Sequence, residues 1–224
     1  MQRVLILLVC VAALTSCSVN MNGWNTEQID PSNNIVTKDF KHKPFEEVNM
    51  RCVGAVELVQ SEAKDGIVEI TAPDNYIELY QLESDHAELN IDFTRHGINI
   101  QAKQVRIKIY TNDLTRIHNS GAANIWMEKL DTDKIEILNS GVGEIRVSGI
   151  TDDAKLVCSG VGSIDAEHLK ALNVVANVSG VGSITCHASE SIEGSVSGVG
   201  SLKYAGNPKH KDTHRSGVGS ITAL

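Results

Sequence analysis

From about residue 40 onward, apolar and polar positions alternate with a period of two, the pattern of strands that bury one side. The runs are Glu47 to Val53 and Ala55 to Val59 with Gly54 between them, Ile67 to Ile70 after a Lys64-Asp65-Gly66 turn, Ala87 to Phe93, and Val105 to Tyr110. Pro73 to Tyr80 breaks the alternation and predicts a short helix opened by Pro73 and Asp74.

Beyond residue 118 a longer period is laid over the short one. Asn119-Ser120-Gly121-Ala122-Ala123-Asn124-Ile125 is followed by Asn139-Ser140-Gly141-Val142-Gly143-Glu144-Ile145. Ser-Gly-Val-Gly-Ser then begins at Ser159, Ser179, Ser197 and Ser216. The first glycines, Gly121, Gly141, Gly160, Gly180, Gly198 and Gly217, are separated by 20, 19, 20, 18 and 19 residues. Four residues after each comes Ile125, Ile145, Ile164, Ile184, Leu202 or Ile221, an inward column. Two further on come Met127, Val147, Ala166, Cys186, Tyr204 and Ala223, a looser one. Trp126, Arg146, Asp165, Thr185, Lys203 and Thr222 lie between them as an outward, mostly polar face. A sandwich does not require one phrase per 19 residues. A parallel β-helix does, because each coil must superimpose on the last at the strand spacing of about 4.8 Å. The pattern predicts an all-β solenoid with coils of about 19–20 residues, already begun by Val53-Gly54-Ala55-Val56-Glu57-Leu58, a degenerate copy of the phrase.

The repeated glycines resemble a phosphate-cradling loop, but such a loop needs a following helix, and an alternating β pattern follows every copy. Gly121, Gly141, Gly143, Gly160, Gly162, Gly180, Gly182, Gly198, Gly200, Gly217 and Gly219 are therefore read as structural, supplying positive φ or close backbone approach. Val142, Val161, Val181, Val199 and Val218 form the candidate binding face. Alternation from the buried isoleucines turns them outward, a corner at the glycines turns them inward, and both readings stand. Serines at 120, 140, 159, 179, 197 and 216, and at 163, 183, 201 and 220, form hydroxyl columns that could hydrogen-bond along the stack or meet a sugar. No histidine or acid is placed by the spacing to activate any of them. Glu144, Asp165, Glu167 and Glu190 could line one face, yet no copy carries an inserted acid, base and cation together. His210 and His214 fall in a charged loop. No catalytic, metal or cofactor site is expected.

Residues 1–16 read as a signal peptide: Arg3, an apolar run from Val4 to Leu14 too short to span a bilayer, then Leu14-Thr15-Ser16-Cys17, which resembles a lipobox. Cys17 is the expected lipid attachment residue and the membrane the expected partner. Residues 17–39 read as a lipidated N-terminus and flexible tether, and residues 40–224 as one domain, irregular over 40–118 and regular over 119–224. The formal charge of −8 becomes −9 without Arg3, which argues against nucleic acid. Cys52, Cys158 and Cys186, an odd number, cannot complete a disulfide framework, and Cys186 falls in a buried column. The last copy runs to Leu224, so a weak homodimer through the C-terminal coil is expected, with Gly206 to Arg215 as the candidate lid.

The Ser-Gly-x-Gly-(Ser/Glu)-Ile phrase, Val53 to Leu58, and Tyr204-Ala205-Gly206-Asn207-Pro208 before the last copy together resemble the putative auto-transporter adhesin, head GIN domain family of Bacteroidetes-type lipoproteins, over about residues 40–224. The resemblance implies a right-handed parallel β-helix-like solenoid, no catalytic residues, and an adhesin-like role with a glycan or protein ligand. Ala123 and the valines between the glycines depart from the family pattern. The expectation is a non-enzymatic lipoprotein anchored to the outer membrane. It is expected to face the periplasm, because residues 18–22 lack the acids associated with surface export. The alternative is a periplasmic carbohydrate-active enzyme, a polysaccharide lyase or hydrolase, on the same scaffold.

Overall fold

The computed structural model describes residues 26–224; the expected signal peptide and Cys17 lie outside them. Strands β1 (Glu27–Gln28) and β2 (Ile35–Lys41) precede a first pair, β3 (Glu47–Met50) and β4 (Val53–Gln60). Next come β5 (Ile67–Pro73), the one-turn helix α1 (Asp74–Ile77), β6 (Tyr80–Asp85), β7 (Glu88–Phe93), β8 (Ile98–Asn99) and β9 (Arg106–Thr111). The regular part is β10 (Arg116–Asn119), β11 (Ala122–Asn139), β12 (Val142–Cys158), β13 (Val161–Val178), β14 (Val181–Val196), β15 (Val199–Ala205), β16 (His210–Arg215) and β17 (Val218–Ala223).

From β10 to β17 every pairing is parallel, and the fold is a β-solenoid of about 5 turns. The expected columns superimpose: Ile125, Ile145, Ile164, Ile184, Leu202 and Ile221 are successive partners, all buried except the last, which is half-buried. A second wall brings Val48, Ile117, Ile137, Leu156 and Ala176 into line opposite them, equally buried. Burying each large aliphatic side chain is worth about 1.5–3 kcal/mol, so the repeated columns hold coil to coil together with the backbone ladder. Where the wall reaches Gly194, a Cβ there would sit 2.5 Å from the Leu202 side chain. The leucine fills the space that the glycine leaves.

Val53 to Leu58 pair residue for residue with Ala122 to Met127, so the degenerate phrase is a coil in register. The chain between them supplies another coil on its outer side, β7 beside β3 and β9 beside β4, both parallel. Antiparallel β5, β2 and β6 then close that end. Helix α1 occurs where Pro73 and Asp74 place it, but Tyr80 belongs to β6.

Two expectations are corrected. The segment expected as tether to residue 39 is laid on the domain in its described part. Residues 35–41 form β2, Tyr76 donates from its hydroxyl to Ile29 O at 2.8 Å, and Asp74 accepts from Ser32 Oγ at 2.5 Å and Asn34 Nδ2 at 2.9 Å. Gly206 to Arg215 is no lid: residues 210–215 form β16, which pairs with β14 and extends the wall.

Candidate functional site

The first glycine of each phrase marks the corner between two walls, and the valine after it opens the next strand. Val142, Val161, Val181, Val199 and Val218 are direct neighbours in the ladder, and all point outward. Four are 54–58% exposed and Val218 is 76% exposed. Both glycine columns pack backbone on backbone: a Cβ at Gly180 would lie 2.1 Å from Gly160 O, and one at Gly182 would lie 1.8 Å from Gly162 O. Close approach, not positive φ, is what excludes a side chain at Gly180 and Gly182; Gly143, in the second column, has both, with φ +119° and a Cβ that would lie 2.2 Å from Ala123 O.

Beside the valines runs the column Asn124, Glu144, Ser163, Ser183, Ser201 and Ser220, exposed at its two ends and half-buried from Glu144 to Ser201. No hydrogen bond joins one of its serines to the next among the described residues. The expected axial ladder gives way in this column to hydroxyls that face solvent. The axial ladder lies inside the corner instead. Buried Asn119 donates through Nδ2 to Asn139 Oδ1 at 3.1 Å, and Asn139 donates to Gly143 O at 2.8 Å. Cys158, Val178 and Val196 continue that column without an amide, so the ladder ends at Asn139.

The four carboxylates are not brought together. Glu144 and Asp165 are joined through Arg146, at 3.0 and 3.2 Å, while Glu190 pairs with Lys209 at 2.7 Å elsewhere. His210 and His214 stand on exposed β16. One pairing escaped the spacing argument: His118 Nε2 lies 2.9 Å from Ser140 Oγ. Burial, then Arg116 and Arg51, push the His118 pKa down, so the ring is neutral and can accept the hydroxyl proton. However, its other nitrogen donates to no carboxylate among the described residues, and such an orienting acid is what a nucleophilic serine site requires. The buried thiols are not candidates either: burial pushes Cys52 and Cys186 up to about 12.

A second feature of the outer face draws on strands the repeat does not contain. Across β5, β9, β4 and β11, Glu69, Lys108, Glu57 and Trp126 stand in one row, with Thr71, Arg106, Ala55 and Asn124 in the next. The long side chains surround Ala55 and enclose a hollow of about 400 Å³. Lys108 pairs with Glu57 at 3.2 Å and Lys64 with Glu69 at 2.9 Å, while the Tyr110 hydroxyl donates to Glu69 at 3.3 Å. The hydrogen bond from Lys64 holds the Glu69 carboxyl below its usual range. A carboxylate kept ionised cannot serve as the proton donor of a glycosidase pair. The repeat pattern puts Trp126 on a polar outward face and carries no sign of the hollow, because β5 and β9 belong to the chain between β4 and β10, outside the repeat.

Comparison with known proteins follows the same lines. The model of the family described as putative auto-transporter adhesin, head GIN domain, matches residues 44–208. A putative adhesin from Bacteroides fragilis NCTC 9343 is similar at 30% identity and TM-score 0.74, over 88% of this chain and 100% of that one. A putative lipid binding protein from Parabacteroides distasonis ATCC 8503 matches at 20% identity and TM-score 0.56, over 88% of this chain and 100% of that one. A putative adhesin from Parabacteroides merdae ATCC 43184 matches at 18% and 0.55, over 88% and 99%. The last two likenesses are of fold alone. No curated protein matches the chain.

Proposed function

The chain belongs to the putative auto-transporter adhesin, head GIN domain family, and from that premise we propose that it is a non-enzymatic cell-envelope lipoprotein whose ladder face holds an extended polysaccharide. The observation that carries this reading is the column from Val142 to Val218, exposed and in register on successive coils. Isolated exposed valines need no explanation, but a continuous stripe of them along one edge of a face is the mark of a contact surface. Each rung offers methyl groups to the C–H faces of a sugar ring and, beside them, a serine hydroxyl to its oxygens. The rungs recur at about 4.8 Å, so a polymer of repeating units can engage several at once and gain avidity that no single rung supplies.

Attachment is assigned to lipid on Cys17. No helix among the described residues is long and apolar enough to cross a membrane. The anchor is placed in the outer membrane with the solenoid facing the periplasm, since Ser18 to Asn22 carry no acid.

The test uses the full chain in detergent against immobilised polysaccharides and matrix proteins, with polymer length followed over time. Retention on a polysaccharide whose length does not change is expected. Retention on proteins alone, no retention, or shortening of the polysaccharide contradicts the reading; shortening favours the carbohydrate-active enzyme.

A further inference from the structure

The hollow around Ala55 has the chemistry of a site in its own right. Trp126 is half-buried, and a second hollow of about 310 Å³, lined by Glu57, Val59, Glu128 and Lys129, opens against it as well. The indole therefore stands between two hollows and can be approached from both. An amphipathic ring so placed is a platform for the apolar face of a ligand that also needs hydrogen bonds.

The charges around it are unevenly matched. Glu57 and Glu69 are each held by a lysine, Lys108 and Lys64. Arg106 is exposed, lines the hollow, and has no ion pair among the described residues. With Arg106 the group of five carries one excess positive charge, in a chain whose formal charge is −8. A free guanidinium beside a sugar-sized hollow is suited to bidentate capture of a carboxylate. Arg106 and Trp126 are two strands and two residues apart, about 12 Å by sheet geometry. That backbone separation leaves room for two linked sugar rings between the side chains.

We propose that the hollow where β5 and β9 meet the stack is a subsite for an acidic oligosaccharide, with Trp126 stacking on one ring and Arg106 taking the carboxylate of the next. The inference rests on the reading that the outer face binds sugar chains, and adds a second site to it. Short acidic oligomers probe the hollow, whereas ladder binding requires a long polymer, so the two can fail separately.

The chain has two tryptophans, so a Trp24→Phe background makes fluorescence report Trp126. The full chain in detergent is titrated with a uronic acid trimer and with a neutral glucose trimer. The expected result is saturable quenching by the acidic trimer, with affinity at least about tenfold above the neutral one. Arg106→Gln should remove that preference without changing the melting temperature. Calorimetry with Trp126→Ala should show no binding of either. No saturable signal at millimolar uronate, equal affinity for both trimers, or an unaffected Arg106→Gln variant overturns the proposal. Because Arg106 is exposed, its variant keeps the test decisive if the tryptophan variant fails to fold.

Discussion

A carbonyl oxygen decides what can stand at position 182. A methyl group there would meet Gly162 O at 1.8 Å, and that contact is backbone, which cannot swing aside as a side chain can. Gly182→Ala must push one coil away from the next. Overpacking of this kind costs about 1–3 kcal/mol, and several degrees of melting temperature in a chain of this length. Since a solenoid is held by nearest-neighbour contacts, the coils C-terminal to the substitution should loosen first. Thermal melting with amide hydrogen exchange over residues 181–205 checks both parts; an unchanged melt and unchanged exchange would refute the close-packing account. The need for glycine was legible in the phrase itself. Which of its two physical reasons applied was not, because close approach depends on the neighbouring coil. The same holds for the valines: alternation and a corner made opposite forecasts, and only the observed bend before each valine decides that they face out.

At the scale of elements, strands with one fully dry side are readable in the sequence, and strands that bury little or nothing are not. Val53 to Leu58 alternates cleanly and pairs as a coil. β2 has exposed Ile35, Thr37, Lys38 and Asp39, and every residue of β16 is exposed. β2 packs only Val36 and Phe40 on the core, four residues apart, and β16 packs nothing, so neither carries the period-two signal that marks a strand. β2 follows residues fastened by Asp74, whose pKa is lowered by hydrogen bonds from Ser32, then Asn34. A carboxyl with a depressed folded pKa contributes stability above its ordinary value of 3.8 and loses it as pH falls through the folded value. Amides of Ser32 and Asp74 should therefore lose exchange protection as pH drops from about 5 to about 2, before those of the coils do. Simultaneous loss throughout the chain, or none at Ser32 and Asp74, would count against this linkage.

The whole molecule differs from its repeat in one respect that matters for function. Residues between β4 and β10 pass outside the first coil and return, so β9 and β5 extend the outer face beyond the repeat. Periodicity revealed the stack. It could not reveal the hollow at Trp126, because strands that meet there are remote in sequence and share no phrase. Attachment is also a property of the whole chain: Cys17→Ser should release the protein from the membrane fraction or stall its processing. A variant that fractionates and migrates like wild type would remove the lipid anchor from the account. The central claim is that the valine ladder binds and does not hold the fold together. It is tested most directly by Val161→Lys/Val181→Lys, measured for melting temperature and for retention on the polysaccharide that holds the wild type. The account predicts a melting temperature within about 3 °C of wild type, as for exposed sites, and retention reduced at least about tenfold by loss of two adjacent rungs. Retention equal to wild type in a folded variant would contradict it.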